Sequence, residues 1–408
     1  MRTIRSLVTA ARRALSMLLE LIMMPVVLLC ALAGRFSRKR IDVGLGPEPL
    51  INNVYHKKAL TFAGFTAETF VSEVWFITDD FDVRGDQHFR WLARFTFARR
   101  LFVACYLFNR VVRRYRCIYI YFNGGPLSLG TRFLAPLEPW LLKMARVKVV
   151  VMPYGGDVQD MSLSPNLLFK HATSQDYPAH RFRQAKTHRQ VRRWTRHADH
   201  VISGCDWVDY MYHWDTLMLA HFSIDVDAWT SLTEPAPVPE SDDVLRVLHA
   251  PNHRSIKGSQ HFIRAVEELA AEGVPIELTI VETVPNAQIR RLMESVDVVA
   301  DQLVIGWYAM FALEAMAMGK AVLCYLRDDL VQLYENAGLV QPGEIPIVRC
   351  SPGTVKEALR SLATDRACLR EAQRRGPDFV RRHHSTEAIG RTFADINARL
   401  GISPAVSR

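Results

Sequence analysis

The sequence predicts an α/β protein built as two doubly wound, Rossmann-like domains facing a cleft, with an N-terminal membrane-associated helix. Three observations carry this. From residue 41 onward short apolar runs alternate with longer helix-periodic stretches, the pattern of parallel sheets covered by helices. The alternation stops at a proline-rich, acidic passage, 234–243 "EPAPVPESDD", and then restarts. Ahead of both halves, residues 14–33 are apolar for 20 positions apart from Ser16, Glu20 and Pro25.

That first segment is flanked by Arg12 and Arg13 on one side and by Arg35, Arg38, Lys39 and Arg40 on the other. Its length is roughly what a bilayer core requires. Glu20 is costly at membrane depth, Pro25 invites a kink, and positive charge on both flanks gives no inside–outside bias. A re-entrant or interfacial anchor, with its basic flanks on anionic headgroups, fits all three facts, and residues 1–40 are assigned to it. A secretory signal, with Ala31-Leu32-Ala33 as cleavage site, and a buried globular helix are the alternatives.

The composition, 49% hydrophobic and 23% charged over 408 residues, is that of a folded chain with room for more than one core. The net charge of +9 is uneven: residues 1–200 hold 31 Lys and Arg against 14 Asp and Glu, whereas 201–408 hold 20 against 28. Basic runs such as 110–116 "RVVRRYR" and 180–196 suit nucleic acid, an anionic bilayer or a solvated helix face. The apolar N-terminus favours an anionic membrane surface over nucleic acid. Seven scattered cysteines, with no paired or zinc-type spacing, read as reduced thiols of a cytosolic protein, and no metal site is expected.

In the first half, 71–78, 117–122, 147–152 and 200–203 read as buried parallel strands. In the second, strands at 244–249, 276–281, 296–300 and 321–325 alternate with helices at 259–272, 286–294 and 309–318. Ser259 is expected to cap the first of these helices and Gly273 to end it. The domains are therefore 41–228, a linker 229–243, and 244–385, with a C-terminal helix and tail over 386–408.

Three stretches carry candidate chemistry. "HAPNHRSIKGS" (249–259) joins a strand to a helix, so that His253, Arg254, Lys257 and the helix amides face the carboxyl end of the sheet, where a diphosphate would be held; an ordinary polar turn is the alternative. "MPYGGDVQD" (152–160) follows a strand of the other half and projects Asp157 into the cleft, or else uses it to cap the next helix. "IGWYAMFALEAMAMGKAV" (305–322) carries one carboxylate, Glu314, in the second turn of an apolar helix. It can accept two hydrogen bonds from the vicinal hydroxyls of a ribose, or face solvent.

"IKGS", "LEAMAMGKAV" and "YGGD" together resemble the retaining GT-B glycosyltransferases of glycosyltransferase family four, over roughly residues 41–400. The resemblance implies that Lys257, with Arg254, holds the donor diphosphate and that Glu314 contacts the nucleotide ribose. It also implies that a glycine-rich loop after the first strand, here "DVGLGPEP" with Gly44 and Gly46, lies near the phosphates. The chain departs from the family pattern in three places. Gly306 stands where the first glutamate of E-x7-E would meet the donor sugar, with Trp307 and Tyr308 beside it. Tyr154 replaces the histidine of His-Gly-x-Asp. Asn252 replaces the usual arginine, so that Arg254 or His253 must take its role. The implied activity is transfer of a sugar from a nucleotide-diphosphate donor to a lipid-linked or glycan acceptor at the cytoplasmic face of the membrane. No cofactor is required, and Asp157 acts on the acceptor hydroxyl. A catalytically silent subunit that binds nucleotide sugar, or an epimerase or phosphorylase of the same fold, are the alternatives.

Overall fold

The computed structural model describes residues 2–74, 78–230, 244–284 and 286–404. The apolar runs form two wholly parallel sheets. The first holds β1 (Ile41–Leu45), β2 (Ala67–Val71), β3 (Val83–Arg84), β4 (Tyr115–Tyr121), β5 (Lys148–Met152), β6 (His200–Gly204) and β7 (Thr216–Met218), in the order β3-β2-β1-β4-β5-β6-β7. The second holds β8 (Leu245–His249), β9 (Ile276–Ile280), β10 (Val298–Gln302), β11 (Ala321–Cys324) and β12 (Ile347–Arg349), in the order β12-β11-β10-β8-β9. The central strands β4, β5 and β10 are buried on both faces, which is why they read as unbroken apolar runs.

Two local expectations are corrected. The strand expected at 71–78 lies earlier, at Ala67–Val71; the chain leaves the sheet at Ser72, whose amide donates to Pro47 O at 3.3 Å, and residues 75–77 lie outside the described residues. Ser259 does not cap its helix. Gly258 precedes that helix in the left-handed region, and the buried Ser259 hydroxyl is hydrogen-bonded instead to His249 Nε2 at 2.8 Å. From residue 231 on, the expected linker also lies outside the described residues.

The N-terminal segment is one helix, Arg2–Arg35, packed along the Thr96–Arg114 helix of the first domain. Its inner stripe is Glu20, Val27, Ala31 and Gly34, at the three- and four-residue spacing of one helix face. Its outer face leaves Leu15, Leu18, Leu21, Ile22, Leu29 and Leu32 exposed. Glu20, which made a bilayer span costly, is fully buried against protein. Its carboxylate accepts from the amides of Arg132, Phe133 and Leu134, at 2.6 Å for Phe133. An acid that would be unpaired in lipid here satisfies the free N–H groups at the start of a helical turn.

At the other end the chain crosses back. The Arg366–His383 helix packs on Met310–Ala317 of the second domain, and the next, Thr386–Arg399, lies on Ile51–Phe62 of the first. Tyr119 of β4 donates to Asn397 Oδ1 at 3.2 Å, so the terminal helix belongs physically to the first domain.

Because the Glu20 carboxylate accepts from three backbone amides, Glu20→Ala should lower unfolding stability by about 3 kcal/mol, and Glu20→Gln, which keeps one acceptor oxygen, by less. Chemical denaturation of the two variants checks this; a Glu20→Ala protein as stable as the wild type would contradict it.

Candidate functional site

In parallel sheets ligands gather beyond the carboxyl ends of the strands, where the strand order reverses. The second sheet reverses between β8 and β10, and the sequence-predicted donor residues sit on the two segments that leave this point. After β8, the turn Arg254–Lys257 carries Lys257, whose ammonium donates to Asp301 Oδ1 at 2.8 Å. Asp301, the penultimate residue of β10, has its side chain fully buried, and its other oxygen accepts from the amide of Ala309 at 3.2 Å, the start of the Met310–Ala317 helix. One carboxylate thus fixes both a cation and a helix N-terminus. An ammonium has three donors, so Lys257 keeps two beyond this bond.

Glu314 is buried in the second turn of that helix rather than facing solvent. It approaches the first domain: the Tyr55 hydroxyl is pushed up to about 12 by burial first, and then by the Glu314 and Asp225 carboxylates. Arg254 lies at the exposed rim and makes a two-point pair with Glu282, at 2.9 and 2.8 Å. His253 is hydrogen-bonded to the Tyr177 hydroxyl of the first domain, with ring centroids 4.4 Å apart. Around it the domains touch: Ile256 N donates to Asp176 Oδ2 at 2.9 Å, and Asn166 Nδ2 donates to the carbonyls of Val304 and Ile305.

The first sheet reverses between β1 and β4. Here the glycines have packing duties. Gly44 lies inside β1, where a Cβ would stand 2.4 Å from the Tyr115 ring, and a Cβ at Gly46 would stand 1.9 Å from Phe70 O. Glu48, two residues on, is an ionisable group of this stretch. Its Oε1 accepts from Asn123 Nδ2 at 2.5 Å, and Asn123 also donates to the Tyr154 hydroxyl at 2.9 Å, so β1, β4 and β5 are joined beyond their carboxyl ends. Burial raises the Glu48 carboxyl above the usual range, against the hydrogen bonds from Asn123 and Tyr154.

Asp157 lies beside this cluster as a turn aspartate. Its carboxylate accepts from the amides of Tyr154, Gly155 and Phe122 at 2.9–3.0 Å, tying the turn after β5 to the end of β4, and burial pushes its pKa up to about 7. Tyr308 is fully interior: it stacks on Trp307 with centroids 5.1 Å apart, and its hydroxyl is hydrogen-bonded to His384 Nε2 at 2.9 Å. It props the loop from behind and does not line the cleft. Gly306 has φ +99°, and a Cβ there would meet Arg327 Cδ at 2.6 Å. Arg327 in turn reaches Asp209 of the first domain at 2.5 Å, so the space that a side chain at position 306 would enter is taken by an inter-domain ion pair.

Lys257 and the helix that carries Glu314 therefore leave one switch point, while Arg254 and His253 stand at its rim. Asp301 and Glu48 were missed. Each had a signal: Asp301 is a charge at the end of an apolar strand, and Glu48 an acid between two prolines directly after one. Among the described residues no three His, Cys, Asp or Glu side chains gather as a metal site.

No protein-family model and no curated protein sequence matches the chain. Solved structures do. Sucrose-phosphate synthase from Thermosynechococcus elongatus is 14% identical, with TM-score 0.53 over 89% of this chain and 99% of that one. HepE from Anabaena, solved with UDP and glucose, is 12% identical, with TM-score 0.53 over 88% and 100%. An alpha-glucosyltransferase solved with UDP and a 13-mer DNA is 12% identical, with TM-score 0.55 over 88% and 100%. The chain has the two-domain α/β fold of the GT-B glycosyltransferases.

The Tyr308–His384 contact makes a pH prediction. Burial holds the His384 imidazole down at about 3 in the folded state, against 6.5 for the ordinary group, so the unfolded chain binds the extra proton between those values. The stability it supplies is complete above pH 6.5 and is lost as pH falls. Below pH 6 the wild type should lose about 1.4 kcal/mol more per pH unit than His384→Gln, as read by urea denaturation across pH 4–7. Parallel stability curves would show that His384 is protonated when folded.

Proposed function

We propose that this chain is a glycosyltransferase that moves a sugar from a nucleotide-diphosphate donor to a lipid-linked or glycan acceptor at the cytoplasmic face of a membrane, with retention of anomeric configuration. The observation that carries the donor half is the convergence of Lys257, the start of the Met310–Ala317 helix and Glu314 at the switch point of the second sheet. A leaving diphosphate gathers negative charge as the glycosidic bond breaks. The Lys257 ammonium and the helix amides are fixed in place to meet that charge, which is the arrangement that stabilises a transition state without reorganisation. Arg254 joins them by exchanging Glu282 for phosphate, an exposed pair worth little to stability. Glu314 takes the ribose hydroxyls. UDP in HepE and in the alpha-glucosyltransferase, two proteins of this fold, supports a uridine donor.

The membrane half rests on the N-terminal helix. Its inner face is docked on protein while its outer face is a continuous apolar stripe between basic flanks, the form of an interfacial helix on anionic lipid. Trp140 on the neighbouring Glu138–Met144 helix and Phe36 at the helix end are also exposed, as side chains at a membrane interface are.

One observation favours a second reading, a binding subunit without turnover: Arg327 occupies the space in which the family's donor-sugar glutamate would stand. Release of free UDP that depends on an added acceptor separates the two readings, since a silent subunit binds and releases nothing.

Lys257→Ala and Glu314→Gln should each weaken UDP binding about 10- to 150-fold, the loss expected for a hydrogen bond to a charged group; Lys257→Ala also leaves the buried Asp301 carboxylate without its counter-charge and should lower the melting temperature, while Glu314→Gln should hold it within a few degrees. Isothermal calorimetry reads this, and wild-type affinity in both variants would sink the donor site. Replacing Leu18, Ile22 and Leu29 together by Gln should abolish most binding to vesicles of anionic phospholipid and leave UDP affinity unchanged. Undiminished vesicle binding would overturn the membrane assignment.

A further inference from the structure

A cavity of about 390 Å³ opens beside Glu48, outside the donor residues described above, within the size range of small-molecule sites. Its walls come from the loops after β1 and β2 and from the first turns of the Thr96–Arg114 helix, so it lies at the carboxyl edge of the first sheet. Five charged side chains line it: Glu48, Glu73, Asp86, Arg99 and Arg100. Carboxylates outnumber guanidiniums, so the cavity is not built for a bare anion. Mixed donors and acceptors suit hydroxyl groups, which both give and accept hydrogen bonds. Several of these atoms have capacity to spare. Glu48 Oε2 and the Arg100 guanidinium have no hydrogen bond to another described residue; Arg99 and Asp86 face each other at 3.6 Å, yet Arg99 Nε and Asp86 Oδ1 are buried without a partner among the described residues.

The surroundings of the cavity are apolar and lead to the N-terminal helix. Leu129 and Gly130 line the cavity, and the amides two to four residues further on are the ones held by Glu20. Leu18, Leu21 and Ile22, next to Glu20, are exposed. Trp91 and Phe95, a few residues ahead of Thr96, which also lines the cavity, are exposed as well. A polar chamber therefore stands next to an uncovered apolar stripe.

We propose that this cavity receives the glycosyl head of a lipid-linked acceptor, with Glu48 and Arg100 on its hydroxyls and the lipid chain lying on the apolar face of the N-terminal helix. The assignment rests on the transferase reading and names its acceptor class. It moves the acceptor contact from Asp157, whose carboxylate is spent on three amides, to Glu48, which sits at the switch point of the first sheet and keeps one oxygen free.

The probes are octyl glycosides of glucose, mannose and N-acetylglucosamine below their micellar concentrations, with the free sugars, octanol and octyl phosphate as comparisons. They are titrated into the full chain by calorimetry. At least one glycoside should bind saturably and about tenfold or more tighter than its free sugar and than octanol. Glu48→Gln should weaken that binding about tenfold, and Thr96→Trp, at an exposed rim position compatible with folding, should block it; UDP affinity should stay within about twofold in both. Failure of every glycoside, binding unchanged in both variants, or tighter binding of octyl phosphate than of any glycoside would overturn the proposal. Glycoside binding that obeys the variants in a protein unable to bind UDP would support the cavity and refute the donor site.

Discussion

The contact between Lys257 and Asp301 is the one on which the carboxyl end of the second sheet depends. A lysine at 12% side-chain exposure needs a counter-charge, and Asp301, at the end of a fully buried strand, provides it at 2.8 Å. The same carboxylate binds the amide of Ala309 and so sets where the Met310–Ala317 helix begins. That helix start decides where Glu314 lies one turn later. Strand end, cation and helix start are thus linked through two oxygens, so the Lys257 ammonium and the opening amides of the helix are held in fixed places.

Elsewhere the first domain uses buried acids to bind loose backbone. Glu20 holds the amides of 132–134, Glu138 those of Leu127 and Ser128, and Asp157 those of Phe122, Tyr154 and Gly155. Each lies in or beside the loops after β4 and β5. A buried carboxylate is costly alone and acceptable when several N–H groups surround it. The cost is offset by order in loops that would otherwise have free amides near a ligand cleft. The N-terminal helix is joined to the domain by the same device, which is how a segment apolar enough for lipid comes to have one face committed to protein.

Much of this was legible in the sequence, and the reasons differ by element. The strands of both sheets were readable because parallel strands buried on two faces are uninterrupted apolar runs, as in "CIYIYF" and "VKVVVM". The places of Lys257 after β8 and of Glu314 in the helix after β10 were readable because their spacing from strand ends is local. Ser259 and the strand near residue 71 were misread for a common reason: tertiary partners, His249 and Pro47, took the groups that local rules assign to a cap and a ladder. Gly44, Gly46 and Tyr308 were read as ligand-facing, yet Tyr115, Phe70 and His384 are what they meet. A sequence pattern marks a position as constrained without saying whether ligand or protein constrains it. Glu20 showed the opposite problem, since its partners lie more than a hundred residues away.

The two switch points give the cleft a division of labour: cations and a helix start on the second sheet, and hydrogen-bonding acids and aromatic hydroxyls on the first. A crystal structure of the full chain with UDP tests this most directly. The account predicts that a phosphate oxygen lies within hydrogen-bond reach of Lys257 Nζ and of the amides that open the Met310–Ala317 helix, with the ribose hydroxyls on Glu314. A nucleotide bound elsewhere, or one in the cleft that touches neither Lys257 nor Glu314, would contradict it.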